Sequence, residues 1–200
     1  GSSVIWFEAI SIVEEGRSSK TQLLLTRDTL DEFKKMTSAV KEAGLKANGY
    51  APYLIMQANH SGRYSNPDNK PAPMIAYRHP ILEQYRAADD SCIVTDDYLK
   101  SLEEKFGEAS ALAKEAGFDA IDIKSCHGYL LAELSSAYNR PGEYGGCFEK
   151  SFSSAKKMAF ARQRFTKTRA SWSLPALASM TVMPTRGALV SVRKAVKHLT

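Results

Sequence analysis

The last 51 residues, 150–200, contain no aspartate or glutamate, while holding 11 lysines and arginines. Residues 1–149 carry all 22 acids against 16 basic residues, so the overall +5 hides a break from about −6 to +11. Such a break within one chain asks for an explanation. Also missing is any run of about 18 apolar residues, which excludes a spanning helix as a reading of this sequence. The opening residues have neither the basic lead nor the apolar stretch of a secretory signal, so a cytoplasmic location is expected. Cysteine is scarce: Cys92, Cys126 and Cys147 are widely spaced and form no C-x-x-C, giving no disulfide framework and no zinc site. Neither G-x-G-x-x-G nor G-x-x-x-x-G-K-[ST] occurs, so a nucleotide is not cradled by those loops.

What is present alternates between strand and helix signals. Residues 3–13, "SVIWFEAISIV", are β-branched and aromatic and end at "EEGRSS", which predicts a strand and loop. A helix follows over "TRDTLDEFKKMTSAVKEAG", starting after Asp28 or Thr29 and stopped by Gly44. Residues 52–57 form a second, buried type of strand. The segment 64–94, punctuated by Pro67, Pro71, Pro73 and Pro80, reads as a long excursion. Thr95 or Asp96 then caps a helix with Leu99, Leu102, Phe106, Ala109 and Leu112 on one stripe, ended by Gly117, and residues 118–123 make a third strand. Short turns between these elements require parallel pairing in an α/β sheet. Ligands of such sheets bind at the C-terminal strand ends, where two polar clusters fall.

The later cluster is "IDIKSCHGYLL", residues 121–131. Cys126 and His127 are adjacent and so are expected to diverge, which argues against a thiol–imidazole pair and makes Cys126 a small buried hydrophobe. Lys124 and His127, three apart, face one point if the chain turns after Ile123, and two converging donors suit an oxygen gaining negative charge. Tyr129 adds a weak acid. The bland alternative is a solvated lysine, a loop histidine and a core tyrosine. The earlier cluster, "QANHSGR", offers the amide of Gln57, the imidazole of His60 and the guanidinium of Arg63, suited to a heterocycle edge and an anion or electron-rich ring.

In order and spacing, "VIWFEA", "QANHSGRYS", "KEAGFDAIDIKSCHGYLLAEL" and "YNRPGEYGG" resemble the old yellow enzyme family, the NADH:flavin oxidoreductases. The resemblance covers about residues 1–149. It implies a partial (β/α)8 TIM barrel comprising strand-helix units 2 to 4, with FMN at the C-terminal strand ends and NADH or NADPH as reductant. Gln57 matches the amide that reads the flavin's pyrimidine edge, and His60 and Arg63 match the loop behind it. His127 and Lys124 match the two donors to the substrate carbonyl, and Tyr129 matches the proton donor. The implied substrate is a small enone-like alkene; no membrane and no specific nucleic acid are expected as partners.

The expected domain layout is 1–149 as a partial FMN-binding barrel and 150–200 as a basic, non-homologous tail. Codons compatible with residues 172–190, read in the adjacent frame, spell a string resembling the family's next strand and loop. A frame slip between about Phe148 and Lys167 therefore accounts for the acid-free composition. The alternative is an evolved basic arm for nucleic acid or acidic partners, although no RNA-binding motif accompanies its four aromatics. As written, the chain is expected to hold FMN weakly or not at all, and to self-associate through unpaired strand edges. A catalytically silent barrel fragment is the competing reading of function.

Overall fold

A computed structural model describes residues 1–146. Strand and helix alternate as the sequence predicts: β1 (Val4–Ser11), α1 (Leu30–Asn48), β2 (Tyr53–Asn59), α2 (Asp96–Glu115), β3 (Ala120–Ile123) and a short α3 (Leu130–Leu134). The strands form a parallel sheet in the order β1-β2-β3. The expected boundary at 149 and the basic tail lie outside the described residues.

Side chains alternate across each strand, and the two sheet faces differ. Leu54, Met56 and Ala58 of β2 are buried in the core beneath the helices, together with Leu99, Leu102 and Phe106 of α2. Burying that stripe, rather than helix propensity, holds α2 in place. Thr95 Oγ1 accepts the Tyr98 amide at 3.1 Å and so caps α2. The opposite face carries Ile55, Gln57 and Asn59, with Trp6 opposite Ile55 and Asp122 opposite Gln57. On this face Val4 and Trp6 are 47% and 44% exposed. One extra residue between Trp6 and Ala9 makes a bulge that keeps Ala9 beside Gln57.

One expected boundary is corrected. α1 does not stop at Gly44 but runs on to Asn48, ending at Gly49 with φ 77°. Gly44 serves close packing instead: a Cβ there would meet Pro52 Cδ at 2.5 Å, where the chain returns into β2. Lys41 Nζ ties the same helix to the α2–β3 turn, donating to Gly117 O at 2.8 Å and Asp119 Oδ1 at 2.9 Å. The excursion between β2 and α2 adds no strand to the sheet, only an isolated bridge between Ile75 and Ile93.

Candidate functional site

The C-terminal ends of β2 and β3 bring the two clusters together. Gln57 is half-buried on the open sheet face, and its Nε2 donates to Asp122 Oδ2 at 2.7 Å. Asp122 is fully buried, so this contact fixes which end of the Gln57 amide faces the sheet. A carboxylate only accepts, so Nε2 must be the atom turned toward Asp122. Gln57 keeps its carbonyl oxygen and one N–H, a donor–acceptor pair matching the alternating C=O and N–H groups of a pyrimidine edge. Two further polar atoms near this end, Asn59 Oδ1 and Ser125 Oγ, are buried without a partner among the described residues.

Past Asn59 the chain turns inward, and the polar ends of His60 and Arg63 are committed within the protein. The Gly62 amide donates to His60 Nδ1 at 3.0 Å, so the neutral ring carries its proton on Nε2, 2.8 Å from Tyr98 Oη. Tyr98 in turn donates to Glu15 Oε1 at 3.0 Å. Burial pushes the His60 imidazole down to about 4. Arg63 Nε donates to Glu133 Oε1 at 2.5 Å, and both side chains are almost wholly buried. Glu133 Oε2 also accepts the Ala76 amide at 2.9 Å. Burial raises the Glu133 carboxyl against the opposing pull of that amide and of Arg63. Gly62 makes the turn possible: its φ is 58°, and a Cβ would sit 2.5 Å from the Leu130 nitrogen.

A pH prediction follows from His60. A folded value near 4 against an unfolded one near 6.5 means the unfolded chain binds more protons between those limits. His60's contribution is therefore complete above pH 6.5 and lost as pH falls toward 4, a drop of roughly 3 kcal/mol. Urea denaturation at pH 7 and pH 4 should show this loss, and His60→Gln should flatten that part of the profile.

The second cluster centres on the Tyr129 ring. Lys124 Nζ lies 4.8 Å from its centroid and the His127 ring 6.2 Å away, so the three groups meet at the strand end. Lys124 follows β3 in register, its amide donating to Ala58 O at 3.0 Å. His127 has φ 60°, a left-handed conformation uncommon for a non-glycine residue. That conformation overturns the expectation for Cys126: His127 Nδ1 lies 2.9 Å from Cys126 Sγ, so the neighbours touch. Cys126 is nonetheless buried and desolvation pushes its thiol pKa up, which disfavours the thiolate that a nucleophile requires. Burial likewise raises the Tyr129 phenol, which keeps its proton at neutral pH.

Several site residues lie beyond what the sequence patterns revealed. Tyr64 packs on Tyr129 with ring centroids 5.6 Å apart, and the Arg86 guanidinium lies 5.3 Å from the Tyr64 centroid. Asp122, Tyr98 and Glu133 also went unread; only Asp122 had a usable signal, its register opposite Gln57. A cavity of about 310 Å³ opens elsewhere, between the β1–α1 connection and α2, and none of Gln57, Lys124, His127 or Tyr129 lines it.

Comparison with known proteins matches residues 1–163 to the model of the NADH:flavin oxidoreductase / NADH oxidase family. An NADPH dehydrogenase of Bacillus velezensis is 32% identical over 152 residues, covering 74% of this chain and 41% of that protein. An NADPH dehydrogenase of Bacillus subtilis is 29% identical over 175 residues, covering 86% and 46%. An NADH:acrylate oxidoreductase of Vibrio harveyi is 26% identical over 153 residues, covering 75% of this chain and 14% of that protein. The chain thus spans less than half the length of these curated relatives, and the family match reaches past residue 149 to 163. On that match, and with a parallel α/β sheet of the kind the family's barrel requires, the chain belongs to the NADH:flavin oxidoreductase / NADH oxidase family, that of old yellow enzyme.

Proposed function

We propose that these residues serve an FMN-dependent NAD(P)H oxidoreductase that reduces an activated, enone-like alkene. The observation that carries this reading is the gathering of Lys124, His127 and Tyr129 around one ring, on the sheet end that also presents the Gln57 amide. The names of the relatives support it, since acrylate is an alkene conjugated to a carboxyl group.

The residues present fit FMN: Gln57 would hold the pyrimidine edge, with Asp122 fixing its amide, while His60 and Arg63 shape the loop from beneath. FMN, when bound, supplies a hydride taken from NADH or NADPH. Lys124 and His127 donate hydrogen bonds to the substrate's carbonyl oxygen, holding it where negative charge grows. Tyr129 holds a proton on Oη and gives it to the carbon beside that carbonyl. Loss of an enone's double-bond absorbance, dependent on NAD(P)H and on added FMN, tests the assignment; turnover without flavin would contradict it.

A second reading, a silent barrel fragment unable to hold FMN, is favoured by one observation: the sheet face carrying Gln57 leaves Val4 and Trp6 open to solvent. The same exposure, with the outer edge of β3 unpaired among the described residues and that of β1 joined through its backbone only at Ser11, to Leu23 and Leu25, supports self-association. Light scattering should give a mass that rises with concentration, and Trp6→Lys should return it toward the monomer. The acid-free stretch 150–200 is best explained as a frame slip rather than a nucleic-acid arm. Coding DNA tests this, because a one-base correction should extend the family match beyond residue 163.

A further inference from the structure

Arg86 has an unusual place among the charges of the excursion loop. The other cation nearby, Arg78, takes up the carboxylates at hand, bonding Glu83 at 2.8 Å and Asp90 at 3.1 Å. Asp89 is engaged by Ser91, whose amide donates to it at 2.9 Å. Arg86 makes no ion pair with any described residue, and its guanidinium rests over the Tyr64 ring. Tyr64 packs against Tyr129, which also borders the Lys124 ammonium and the His127 ring. Arg86 and Lys124 thus each sit over one ring of a packed pair of tyrosines, and the Arg86 charge opposes the upward shift of the Tyr129 phenol.

A guanidinium stacked on a ring keeps its N–H fork free and pre-oriented, and its planar geometry matches a carboxylate. Stacking also limits the entropy lost when an anion is gripped. A neutral substrate would leave this charge with no counterpart.

We propose that Arg86, held on Tyr64 beside Tyr129 and Lys124, is a carboxylate-recognising residue, so that the substrate is an activated alkene bearing a carboxylate group. This rests on the reading of Lys124, His127 and Tyr129 as the substrate-binding groups, and narrows it from neutral enones to anionic alkenes. Arg86 touches the substrate's anionic end and takes no part in hydride or proton transfer.

The test compares propionate with propionamide, which share a shape and differ in charge. Each is titrated into the isotopically labelled chain, following the Arg86 Nε and Tyr129 ring signals by NMR, without flavin. Propionate should bind at least about tenfold more tightly than the amide, a difference of about 1.4 kcal/mol, and the preference should weaken in salt. Arg86→Gln should abolish the preference and Arg86→Lys should keep part of it. Equal binding of the two probes, no saturable propionate shift, or a preference unchanged in Arg86→Gln overturns the proposal. Flavin binding is measured separately, so an intact carboxylate preference without FMN binding sinks only the flavin reading. FMN binding without the preference sinks only the carboxylate site.

Discussion

Replacing Glu133 with alanine is expected to cost about 3 to 5 kcal/mol, the usual penalty for breaking a buried ion pair. The carboxylate is 3% exposed and does two tasks, accepting from Arg63 Nε at 2.5 Å and from the Ala76 amide at 2.9 Å. Its removal strands a guanidinium that is itself 1% exposed and whose Nη1 already lacks a partner among the described residues. Only the Tyr77 carbonyl, 3.2 Å from Nη2, would remain. Against a typical total stability of about 5 to 15 kcal/mol, this is enough to unfold much of the population. The double replacement Arg63→Met with Glu133→Leu should cost less than either single change, because no charge is then left buried. Urea midpoints for the three variants decide the matter, and a Glu133→Ala loss under about 1 kcal/mol would contradict the role given to this pair. The functional consequence is positional: Arg63 lies in the loop that follows β2 and Glu133 in α3 beyond β3, so the pair pins the loop after β2, at the end of the strand that carries Gln57, to the helix that follows the Lys124–Tyr129 loop.

Tyr129→Phe is expected to lower alkene reduction by about 10²- to 10⁴-fold, the range removed with a well-placed general acid. The phenol suits the proposed role because burial raises its pKa above the ordinary value near 10, with Cys126 and Tyr64 adding to the shift and Arg86 opposing it. Its proton therefore stays in place through the neutral range, and activity should show no loss from Tyr129 until the pH passes its raised pKa. Phenylalanine keeps the ring on which Lys124 and Tyr64 pack, so folding and flavin affinity should hardly change. Transfer of reducing equivalents from NAD(P)H should persist in Tyr129→Phe while alkene reduction falls. By contrast, if His127 grips the carbonyl oxygen in both ground and transition states as proposed, His127→Ala should weaken substrate binding as well as slow turnover. A Tyr129→Phe variant within twofold of the parent in alkene reduction would remove Tyr129 from the chemistry.

Much of the scaffold was legible because it is locally encoded. The apolar stripe from Leu99 to Leu112, the Thr95 cap and the short turns specify α2 and a parallel neighbour without any distant information. Gly44 misled because the rule that glycine ends helices is statistical, whereas here Pro52 packs where a side chain would be. The Cys126–His127 contact misled for a different reason. Strand and helix geometries both separate neighbours, but His127 adopts neither, and its φ of 60° folds the ring back onto the sulfur. Contacts such as Arg63 with Glu133, 70 residues apart, leave no periodic trace, and neither does Arg86 over Tyr64 in a loop without regular structure. Type and spacing drew attention to Lys124, His127 and Tyr129, the family resemblance supplied their proposed roles, and the partners that orient them depend on tertiary placement.

In the proposed function the open sheet face around Gln57 receives a flavin. Titrating FMN into the protein and into Gln57→Leu, following flavin fluorescence and absorbance, tests it most directly. Weak but saturable binding to the parent chain is expected, with the flavin spectrum perturbed, and loss of that binding in Gln57→Leu, whose side chain offers neither donor nor acceptor. An unchanged flavin spectrum up to millimolar protein, or binding of equal strength in both chains, would contradict it.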